Sequence, residues 1–263
     1  MNRILFEPGE IVDGVATFGG ERAGHVLNVL HGEVGQLLKT GVVDGKIGTS
    51  TIREIVGATA ARSGESVDDS VRIVVSVCHE EESRRPWVDL ILAPPRPRVM
   101  KRLLPQLATM GVGRIFLVGA KKVEKDFWGA TLLKPENYRP LLIDGLMQAG
   151  TSILPTLETR RNFRKFVNEE LDALFGDGPR IVAHPYGVNC QIDGDGTSKR
   201  AIPQSENRKI VLAIGPEGGW TDEEVALLEA HGFSRYSLGS RILRTDTATI
   251  ALLAQLMKEY DQC

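Results

Sequence analysis

The segment Ile210-Val-Leu-Ala-Ile-Gly-Pro-Glu-Gly-Gly-Trp220 carries the clearest structural signal in the chain. Its five leading apolar residues include β-branched side chains and end at a glycine, which is typical of a short strand buried on both faces. Glycines in the turn that follows let the backbone bend sharply and approach a ligand without an intervening Cβ. Thr221 and Glu224 then have the spacing of a capping box, which predicts a helix start. The free N–H groups of that helix start and the glycine turn together indicate a ligand site.

A second segment, Leu238-Gly-Ser-Arg-Ile-Leu-Arg-Thr-Asp-Thr-Ala248, repeats this arrangement. A short strand over Ser234–Leu238 is followed by a glycine, a basic turn and a helix. The helix has one apolar stripe, as expected for a helix packed on a core. The stripe is formed by Ile250, Leu253, Leu256 and Met257. Two glycine loops that each follow a strand and precede a helix predict one binding site built from both.

The composition of the 263 residues is that of a globular protein, with 42% hydrophobic and 25% charged residues. The 32 basic and 34 acidic residues give a net charge of −2, so any contact with nucleic acid has to come from a local basic patch. No apolar stretch is long enough for a membrane span, and the N-terminal segment has no signal-peptide or transit-peptide pattern. Cys78, Cys190 and Cys263 are odd in number and far apart, which indicates reduced thiols, a cytoplasmic location and no zinc site.

The chain is expected to divide into two domains, at residues 1–70 and 71–263. The first has β-type runs separated by turn residues and one helix, which is the pattern of a small β-barrel or sandwich. The runs are Ile11–Val15, Val34–Leu38 and Lys46–Ile52, and the helix is Glu21–Leu30. A polar segment, Gly57–Asp69, leads out of this domain.

The second domain alternates apolar strands with helices, which predicts an α/β fold with a largely parallel sheet covered by helices. Ligands bind beyond the carboxyl ends of the strands in such sheets, where both glycine loops fall. The predicted strands are Val71–Cys78, Trp87–Ala93, Arg114–Val118, Arg180–Ala183, Lys209–Ile214 and Ser234–Leu238. The predicted helices are Pro97–Met110, Lys134–Ala149, Asn162–Phe175, Asp222–Ala230 and the final helix of the chain.

Several common site motifs are missing from the sequence. Neither G-x-G-x-x-G nor G-x-x-x-x-G-K-[ST] occurs, which argues against Rossmann dehydrogenases and P-loop NTPases. Asp193-Gly-Asp-Gly196 lies in the polar segment Gly187–Asn207 and lacks the distal glutamate of an EF-hand loop. A solvated loop, with no metal site, is therefore predicted there.

Taken together, Gly-Pro-Glu-Gly-Gly at 215–219 and the segment 238–248 resemble the paired signature of the ribosomal RNA small subunit methyltransferase E family. That family belongs to the SPOUT class of S-adenosyl-L-methionine (SAM) methyltransferases, which have a trefoil knot. The resemblance implies a PUA-like, RNA-binding β-barrel at 1–70 and a SPOUT domain at 71–263. It also implies methylation of N3 of a uridine in small-subunit (16S) ribosomal RNA, by a homodimer. The knot and the dimer follow from the resemblance alone.

The resemblance gives roles to residues of both loops. The SAM pocket would be formed by Ile214, Gly215, Pro216, Glu217, Gly218, Gly219, Leu238, Gly239, Ile242 and Leu243, with His184 at its border. Arg244 directly follows the pocket loop, and we expect it to stabilise the anion that forms when uridine N3 loses its proton. Asp246 would orient Arg244 or accept that proton; the alternative is that it caps the last helix.

The best candidates for RNA contact are Arg96, Arg98, Lys101 and Arg102, because prolines hold this basic segment extended before a helix. A solvated surface is the alternative for these side chains. His25 lies in a His-x-x-x-Val-Leu segment like one in the barrel of the family, and a histidine hydrogen-bonded against the barrel is the alternative there.

Basic residues of the family pattern are missing at four positions, Asn28, His31, Thr151 and Ile153. These departures leave a second function open, namely an RNA-binding or SAM-binding homologue that has no activity or has another RNA target. The intact glycine loops favour the active enzyme, because a pure binding module does not need both.

Overall fold

The computed structural model describes residues 2–57, 70–186 and 209–260. Its contacts group the chain into two compact units. The first unit comprises Met1–Arg84 and Ile143–Leu154, and the second comprises Arg85–Leu142 and Pro155–Cys263.

The first unit contains a six-stranded sheet in the order β1-β4-β5-β6-β3-β2. Strands β1 and β4 are parallel and the other neighbours are antiparallel. The strands are β1 (Ile4–Phe6), β2 (Ile11–Val12), β3 (Val15–Phe18), β4 (Leu37–Val42), β5 (Ile47–Val56) and β6 (Arg72–Glu81), with helix α1 (Gly20–Asn28) between β3 and β4. Their inward side chains form one core that includes Phe6, Phe18, Val26, Ile52 and Ile73.

A buried polar network lies within the first sheet. The Arg3 guanidinium donates from one Nη to the carbonyl oxygens of Thr40 (2.6 Å) and Gly48 (2.9 Å). The Thr40 hydroxyl lies 2.6 Å from Ser50 Oγ and 2.7 Å from His79 Nε2. Burial lowers the pKa of His79, and the nearby Arg3 charge lowers it further. The network therefore favours the neutral imidazole.

The second unit contains a six-stranded sheet in the order β12-β10-β11-β7-β8-β9, and all its neighbouring strands are parallel. The strands are β7 (Val88–Leu92), β8 (Val112–Val118), β9 (Thr156–Arg160), β10 (Arg180–Ala183), β11 (Ile210–Ile214) and β12 (Ser234–Tyr236). The helices are α2 (Pro97–Thr109), α3 (Pro135–Ala149, which continues into the first unit), α4 (Phe163–Glu169), α5 (Leu171–Phe175), α6 (Asp222–Ala230) and α7 (Thr245–Tyr260). Every residue of β7 and β11 is buried, as expected for central strands of a parallel sheet covered on both faces.

A buried ion pair sets the register between β7 and β8. The pairing shifts between Val88 and Leu90, opposite Gly113 and Arg114. The carboxylate of Asp89, which is 1% exposed, accepts hydrogen bonds from the Arg114 backbone N–H (2.9 Å), Nε (2.9 Å) and one Nη (2.7 Å). The Asp89 side chain thus satisfies the backbone N–H of Arg114 and is neutralised by its guanidinium.

The predicted α/β fold with a parallel sheet is confirmed, and the predicted helices at 97–110 and 222–230 are found within one residue of their expected ends. One strand was placed wrongly. The sequence assigned Val71–Cys78 to the second domain, but β6 pairs with β3 and β5 of the first sheet. Its inward residues Ile73 and Val75 complete the first core, so the first unit extends to Arg84.

Other differences are local. The single helix predicted at Asn162–Phe175 is two helices, α4 and α5, which meet at Glu170 (φ −118°, ψ −32°). Strand β12 ends at Tyr236, before the predicted Leu238. Strand β9 was not predicted, since it is a polar edge strand with one neighbour. Cys190, Cys263 and the polar segments at 58–69 and 187–208 lie outside the described residues.

Membrane-spanning helices and clusters of metal ligands are both absent from the described ranges. None of the helices there has the length and apolar character to cross a bilayer. Those ranges also contain no group of three or more His, Cys, Asp or Glu side chains arranged to hold a metal ion.

Candidate functional site

The first loop, Gly215–Gly219, follows the buried strand β11 at the carboxyl edge of the second sheet. Its backbone closes a turn in which the Gly219 N–H donates to the Pro216 carbonyl (2.8 Å) and Gly219 has φ +70°. A Cβ on Gly215 would lie 3.0 Å from two ring atoms of Trp220. The loop thus needs glycine for conformation at Gly219 and for space at Gly215.

Trp220 forms the floor of the first loop. It is 6% exposed, and its ring lies 5.2 Å from the ring of Phe163 in the core. Within the described part of the chain, its indole Nε1 has no hydrogen-bond partner. Trp220 therefore supports Gly215 by apolar packing rather than by a hydrogen bond.

The loop that follows β8, residues 119–124, holds the first loop from outside. The predicted capping box is present, with the Thr221 N–H donating to Glu224 Oε2 (2.9 Å) and the Glu224 N–H to Thr221 Oγ1 (3.3 Å). The other carboxylate oxygen of buried Glu224 accepts the backbone N–H of Lys121 (2.7 Å). Lys122 Nζ donates to the Gly218 carbonyl (2.8 Å). Two neighbouring lysines thus fasten the first loop and the start of α6.

The second loop, residues 238–244, is ordered around Ser237. The buried Ser237 hydroxyl donates to the Gly239 carbonyl (3.0 Å) and accepts the Gly239 N–H (3.1 Å), and Gly239 has φ +128°. Beyond this turn, Ile242 is 75% exposed and Leu243 37% exposed. An exposed pair of large apolar side chains beside two glycine turns is available to contact an apolar part of a ligand.

A buried threonine joins the two loops. Thr245 begins α7 directly after the second loop, and its hydroxyl donates to the Gly215 carbonyl (3.3 Å). The Thr249 hydroxyl donates in turn to the Thr245 carbonyl (2.7 Å), and both threonines are buried. The structure therefore brings together the two segments that the sequence predicted to share a site.

His184 follows β10 at the same edge of the sheet, beside the second loop. Its backbone N–H donates to the Tyr236 carbonyl (3.0 Å), which continues the pairing of β10 with β12. Its ring Nδ1 lies 2.5 Å from the Tyr186 carbonyl oxygen and 3.1 Å from the Tyr186 backbone nitrogen. Sheet pairing thus places His184 at the end of the strand, next to Ser237.

Arg244 and Asp246 lie at the start of α7. The Arg244 side chain is exposed, and its carbonyl accepts the first helical hydrogen bond, from Ala248 (2.8 Å). Asp246 Oδ1 accepts the Thr247 N–H (2.9 Å), and Oδ2 lies 3.7 Å from an Nη of Arg102. Asp246 is thus held by the helix start and by Arg102 of α2.

The predicted RNA-binding residues fall in different settings. Arg96 donates from Nε to Glu124 (3.1 Å); this bond, with the nearby carboxylates of Glu124 and Glu217, raises the pKa of Arg96. Arg98 and Lys101 are exposed on α2. His25 belongs to the first unit, where its Nε2 is buried and has no hydrogen-bond partner among the described residues.

A cleft on the other side of the first loop was not predicted. It lies at the carboxyl ends of β7, β8 and β11 and is lined by Pro94, Pro95, Arg96, Lys122, Val123, Glu124, Phe127, Pro216 and Glu217. The sequence had not indicated a role in the site for Lys121, Lys122 or Thr245. The lysines could have been found from Gly119, which directly follows a buried strand, because every loop at this edge of the sheet can reach the ligand.

Comparison with known proteins identifies the family of this chain. A family model of the RNA methyltransferase domain matches residues 81–257. The ribosomal RNA small subunit methyltransferase E of Treponema pallidum is 28% identical over 271 residues, which cover 98% of this chain and 91% of that protein. The corresponding Synechocystis protein is 35% identical over 133 residues, 48% of this chain and 41% of that protein.

Solved structures agree in fold. A Legionella pneumophila methyltransferase in complex with its bound cofactor SAM is 26% identical, with a TM-score of 0.69 over 98% of this chain and 97% of that one. A ribosomal RNA small subunit methyltransferase E from Neisseria gonorrhoeae, bound to S-adenosyl methionine, is 20% identical and shares the fold, with a TM-score of 0.68 over 99% and 98% of the two chains. Since the matched domain covers more than half of the sequence and both glycine loops, the chain belongs to the RNA methyltransferase domain family, and its resemblance to the ribosomal RNA small subunit methyltransferase E proteins is confirmed.

Proposed function

We propose that this protein is an enzyme that transfers a methyl group from SAM to N3 of a uridine in small-subunit ribosomal RNA. The observation that carries the proposal is the contact between the two glycine loops, Thr245 to Gly215, at the carboxyl edge of a parallel sheet. This contact builds one site from the two segments that carry the family signature. A relative that matches nearly the whole chain bears the name ribosomal RNA small subunit methyltransferase E.

The residues of the two loops fit SAM. Gly219 and Gly239 have positive φ, and a Cβ built at either position meets no atom within 4 Å, so open space borders both turns. Exposed Ile242 and Leu243 offer apolar surface for an adenine ring, and the backbone groups of the turns offer hydrogen bonds for its polar edge. The proposed pocket consists of Ile214, Gly215, Pro216, Glu217, Gly218, Gly219, Leu238, Gly239, Ile242 and Leu243, with His184 at its border.

When bound, SAM supplies a methyl group already activated by a sulfonium, so the protein chiefly has to align and deprotonate the acceptor nitrogen. Exposed Arg244 lies next to the loop contact and stabilises the negative charge of the deprotonated uridine. Asp246 acts on the same step by holding the start of α7, and Arg244 with it, through Thr247 and Arg102.

RNA is bound through basic side chains of α2 and the segment before it. Arg96, Arg98, Lys101 and Arg102 are all exposed, and such side chains contribute affinity through phosphate contacts without reading sequence. His25 of the first unit is a further proposed contact. Replacing Arg98 or Lys101 by Ala should weaken RNA binding and lower the salt dependence of log K by about one unit each.

The finer assignment of the fold also belongs to this proposal. A wholly parallel sheet whose last helix begins at the contact with Gly215 supports a SPOUT trefoil-knot domain in the second unit. The half-barrel sheet of the first unit supports a PUA-like, RNA-binding domain that extends beyond the expected 1–70 to Arg84. A crystal structure with SAM, traced through residues 187–208, tests the knot directly.

A homodimer in the cytoplasm completes the proposal. The resemblance implies the dimer, and the spacing of the cysteines favours a reducing compartment. Sedimentation equilibrium of the purified protein and cell fractionation test these two points.

The decisive experiment is methyl transfer from labelled SAM to small ribosomal subunits that lack the modification, with the product nucleoside identified by mass spectrometry. Formation of 3-methyluridine is expected. Arg244→Ala should abolish transfer and leave the Kd for SAM unchanged by calorimetry. The matched control is Arg235→Ala, which removes a partly exposed arginine on β12 that is paired with Glu229 (2.6 Å). Unchanged turnover in Arg244→Ala would refute its role.

A second function is favoured by the missing basic residues at Asn28, His31, Thr151 and Ile153. A homologue that binds RNA or SAM without this activity would bind SAM in calorimetry but incorporate no label. Incorporation at a nucleoside other than 3-methyluridine would indicate a shifted RNA target.

A further inference from the structure

A partly exposed tryptophan and two exposed basic residues lie together in the second unit, outside the proposed SAM pocket. The three residues, called the Trp128 patch below, are Lys125, Trp128 and Arg161. Lys125 and Trp128 belong to the 3₁₀ helix Lys125–Gly129, in which residues three apart share one face. The Arg161 guanidinium lies 5.8 Å from the centre of the Trp128 ring, and one Nη donates to the Trp128 carbonyl (3.3 Å). An aromatic ring is thus flanked by two positive charges.

The fold holds Trp128 in place and leaves part of its ring exposed. The neighbouring Phe127 is 2% exposed and contacts the Trp128 ring edge-on, with ring centres 5.4 Å apart. The Phe127 N–H donates to the Glu124 carbonyl (3.2 Å), and the Ala130 N–H donates to the Phe127 carbonyl (3.0 Å). A rigid tryptophan binds a flat ligand with little loss of conformational entropy. Trp128 therefore has the properties of a platform on which a base can stack.

The charges around Trp128 favour an anionic partner. The acids of residues 119–134 are Glu124 and Asp126, and Glu124 is paired with Arg96 (3.1 Å). The bases of this stretch are Lys121, Lys122, Lys125 and Lys134. The basic residues next to Arg161 are each paired with a glutamate; they are Arg160, Arg164 and Lys165. Lys125 and Arg161 form no ion pair within the described ranges, so their charges are available to a ligand.

The Trp128 patch lies at the same edge of the second sheet as the two glycine loops, but at a distance from them. The Gly119 N–H, directly after β8, donates to the Arg160 carbonyl (2.9 Å), and a Cβ on Gly119 would overlap the Arg161 carbonyl oxygen. The segments after β8 and β9 are therefore in contact. Strand β9 is three places from β11 in the sheet, which corresponds to about 14 Å at about 4.8 Å per strand. A ligand on the patch is thus separate from the reacting groups.

We infer that the Trp128 patch binds an unpaired nucleotide of the substrate RNA, at a position other than the acceptor. This inference rests on the proposed function. Trp128 stacks on the base, while Lys125 and Arg161 contact phosphates beside it. Because every base has a flat face, this contact adds affinity and selects single-stranded RNA without reading its sequence. The pair of Arg96 with Glu124, directly before Lys125, makes the patch a continuation of the basic segment 96–102 along the same edge.

The first test uses tryptophan fluorescence without SAM. The chain has three tryptophans, and the other two, Trp87 and Trp220, are buried. An oligoadenylate of about ten nucleotides, within the size of single-strand sites, should quench the emission of wild type, because a stacked base quenches an indole. Trp128→Phe should bind it with a Kd within about threefold of wild type, since phenylalanine also stacks, but without quenching. Heparin, a polyanion without bases, should cause no quenching. Quenching that survives in Trp128→Phe, or wild type that binds the oligonucleotide without quenching, would overturn the inference.

The second test measures affinity for unmodified small subunits. Trp128→Ala should weaken binding about tenfold or more and leave the salt dependence and the Kd for SAM unchanged, because it removes stacking and no charge. Lys125→Ala should lower the slope of log K against log salt concentration by about 0.7–0.9. The matched control is Lys165→Ala, which removes an exposed lysine of α4 that is paired with Glu169 (3.9 Å) and should leave affinity and slope as in wild type. Equal affinities for Trp128→Ala and wild type would refute the stacking contact.

The two tests separate this inference from the proposed function. If wild type binds and is quenched but forms no 3-methyluridine, the Trp128 patch is supported and the proposed reaction fails. If 3-methyluridine forms while the patch variants bind subunits as tightly as wild type, the reaction stands and the patch is refuted.

Discussion

Glu224→Ala is the sharpest test of how the first loop is held. Glu224 is the third residue of α6 and is 7% exposed. One carboxylate oxygen accepts the Thr221 N–H (2.9 Å) and the other accepts the Lys121 N–H (2.7 Å), from a loop 103 residues earlier in the chain. The alanine variant removes both acceptors and leaves the Thr221 hydroxyl on the Glu224 N–H.

The expected loss of stability follows from these two bonds. A hydrogen bond to a charged group contributes about 1.5–3 kcal/mol. Lys121 is an exposed residue, so in the variant its backbone N–H can hydrogen-bond to water and part of the loss is recovered. We therefore take the two bonds together to contribute about 3 kcal/mol. With an m-value of about 2 kcal/mol/M in urea, the unfolding midpoint should fall by about 1.5 M.

Urea unfolding followed by tryptophan fluorescence suits this measurement, because Trp220 lies directly before the cap. The matched control is Glu223→Ala, which removes the neighbouring carboxylate and its exposed pair with Arg164. That change should cost no more than about 0.5–1 kcal/mol. Equal midpoints for the two variants would refute the view that Glu224 joins the loop at 119–124 to the start of α6.

Three further predictions follow from single residues. Gly215→Ala places a Cβ 3.0 Å from the Trp220 ring, so the first loop must shift, and calorimetry should show SAM binding weakened about tenfold or more; an unchanged Kd would contradict this. Gly48→Ala makes a Cβ overlap the Cys78 carbonyl oxygen and should lower the unfolding free energy by about 1–3 kcal/mol, measured in urea. Burial lowers the pKa of His79 in the folded protein, so as the pH falls the imidazole is protonated in the unfolded chain before it is protonated in the folded one. The free energy of unfolding should therefore decline as the pH falls from the ordinary value of 6.5 toward the lower folded pKa. In thermal melts across this range, His79→Gln should flatten that decline.

Much of the fold was predictable because its signals are local. The strand at Ile210–Ile214, the capping box of Thr221 and Glu224, and the helices at 97–109 and 222–230 depend on side chains a few residues apart. The exception, β6, shows the limit of such signals. Its apolar alternation predicts a strand equally well for either sheet, and the strand belongs to the first because Ile73 and Val75 fill that core.

The site shows the same division between local and distant interactions. The glycine loops and their family signature were legible in the sequence, since backbone conformation at Gly219 and Gly239 restricts those positions to glycine. One partner of Asp246 was predictable and the other was not. The sequence offered Arg244 or the helix start, and the structure shows the helix start, through the Thr247 N–H, together with the α2 residue Arg102, which no local pattern indicated.

The sequence by itself indicated most of the strands, turns and helix starts, and it predicted that two segments share one ligand site. Only the tertiary structure decided what those segments touch. Thr245 contacts Gly215 across 30 residues, and Lys122 contacts Gly218 across 96. Neither contact leaves a pattern in the residues on either side of it. The physical reason is that helix, strand and cap signals arise from short-range backbone and packing preferences, whereas these contacts exist only because a parallel sheet brings the ends of distant strands to one edge.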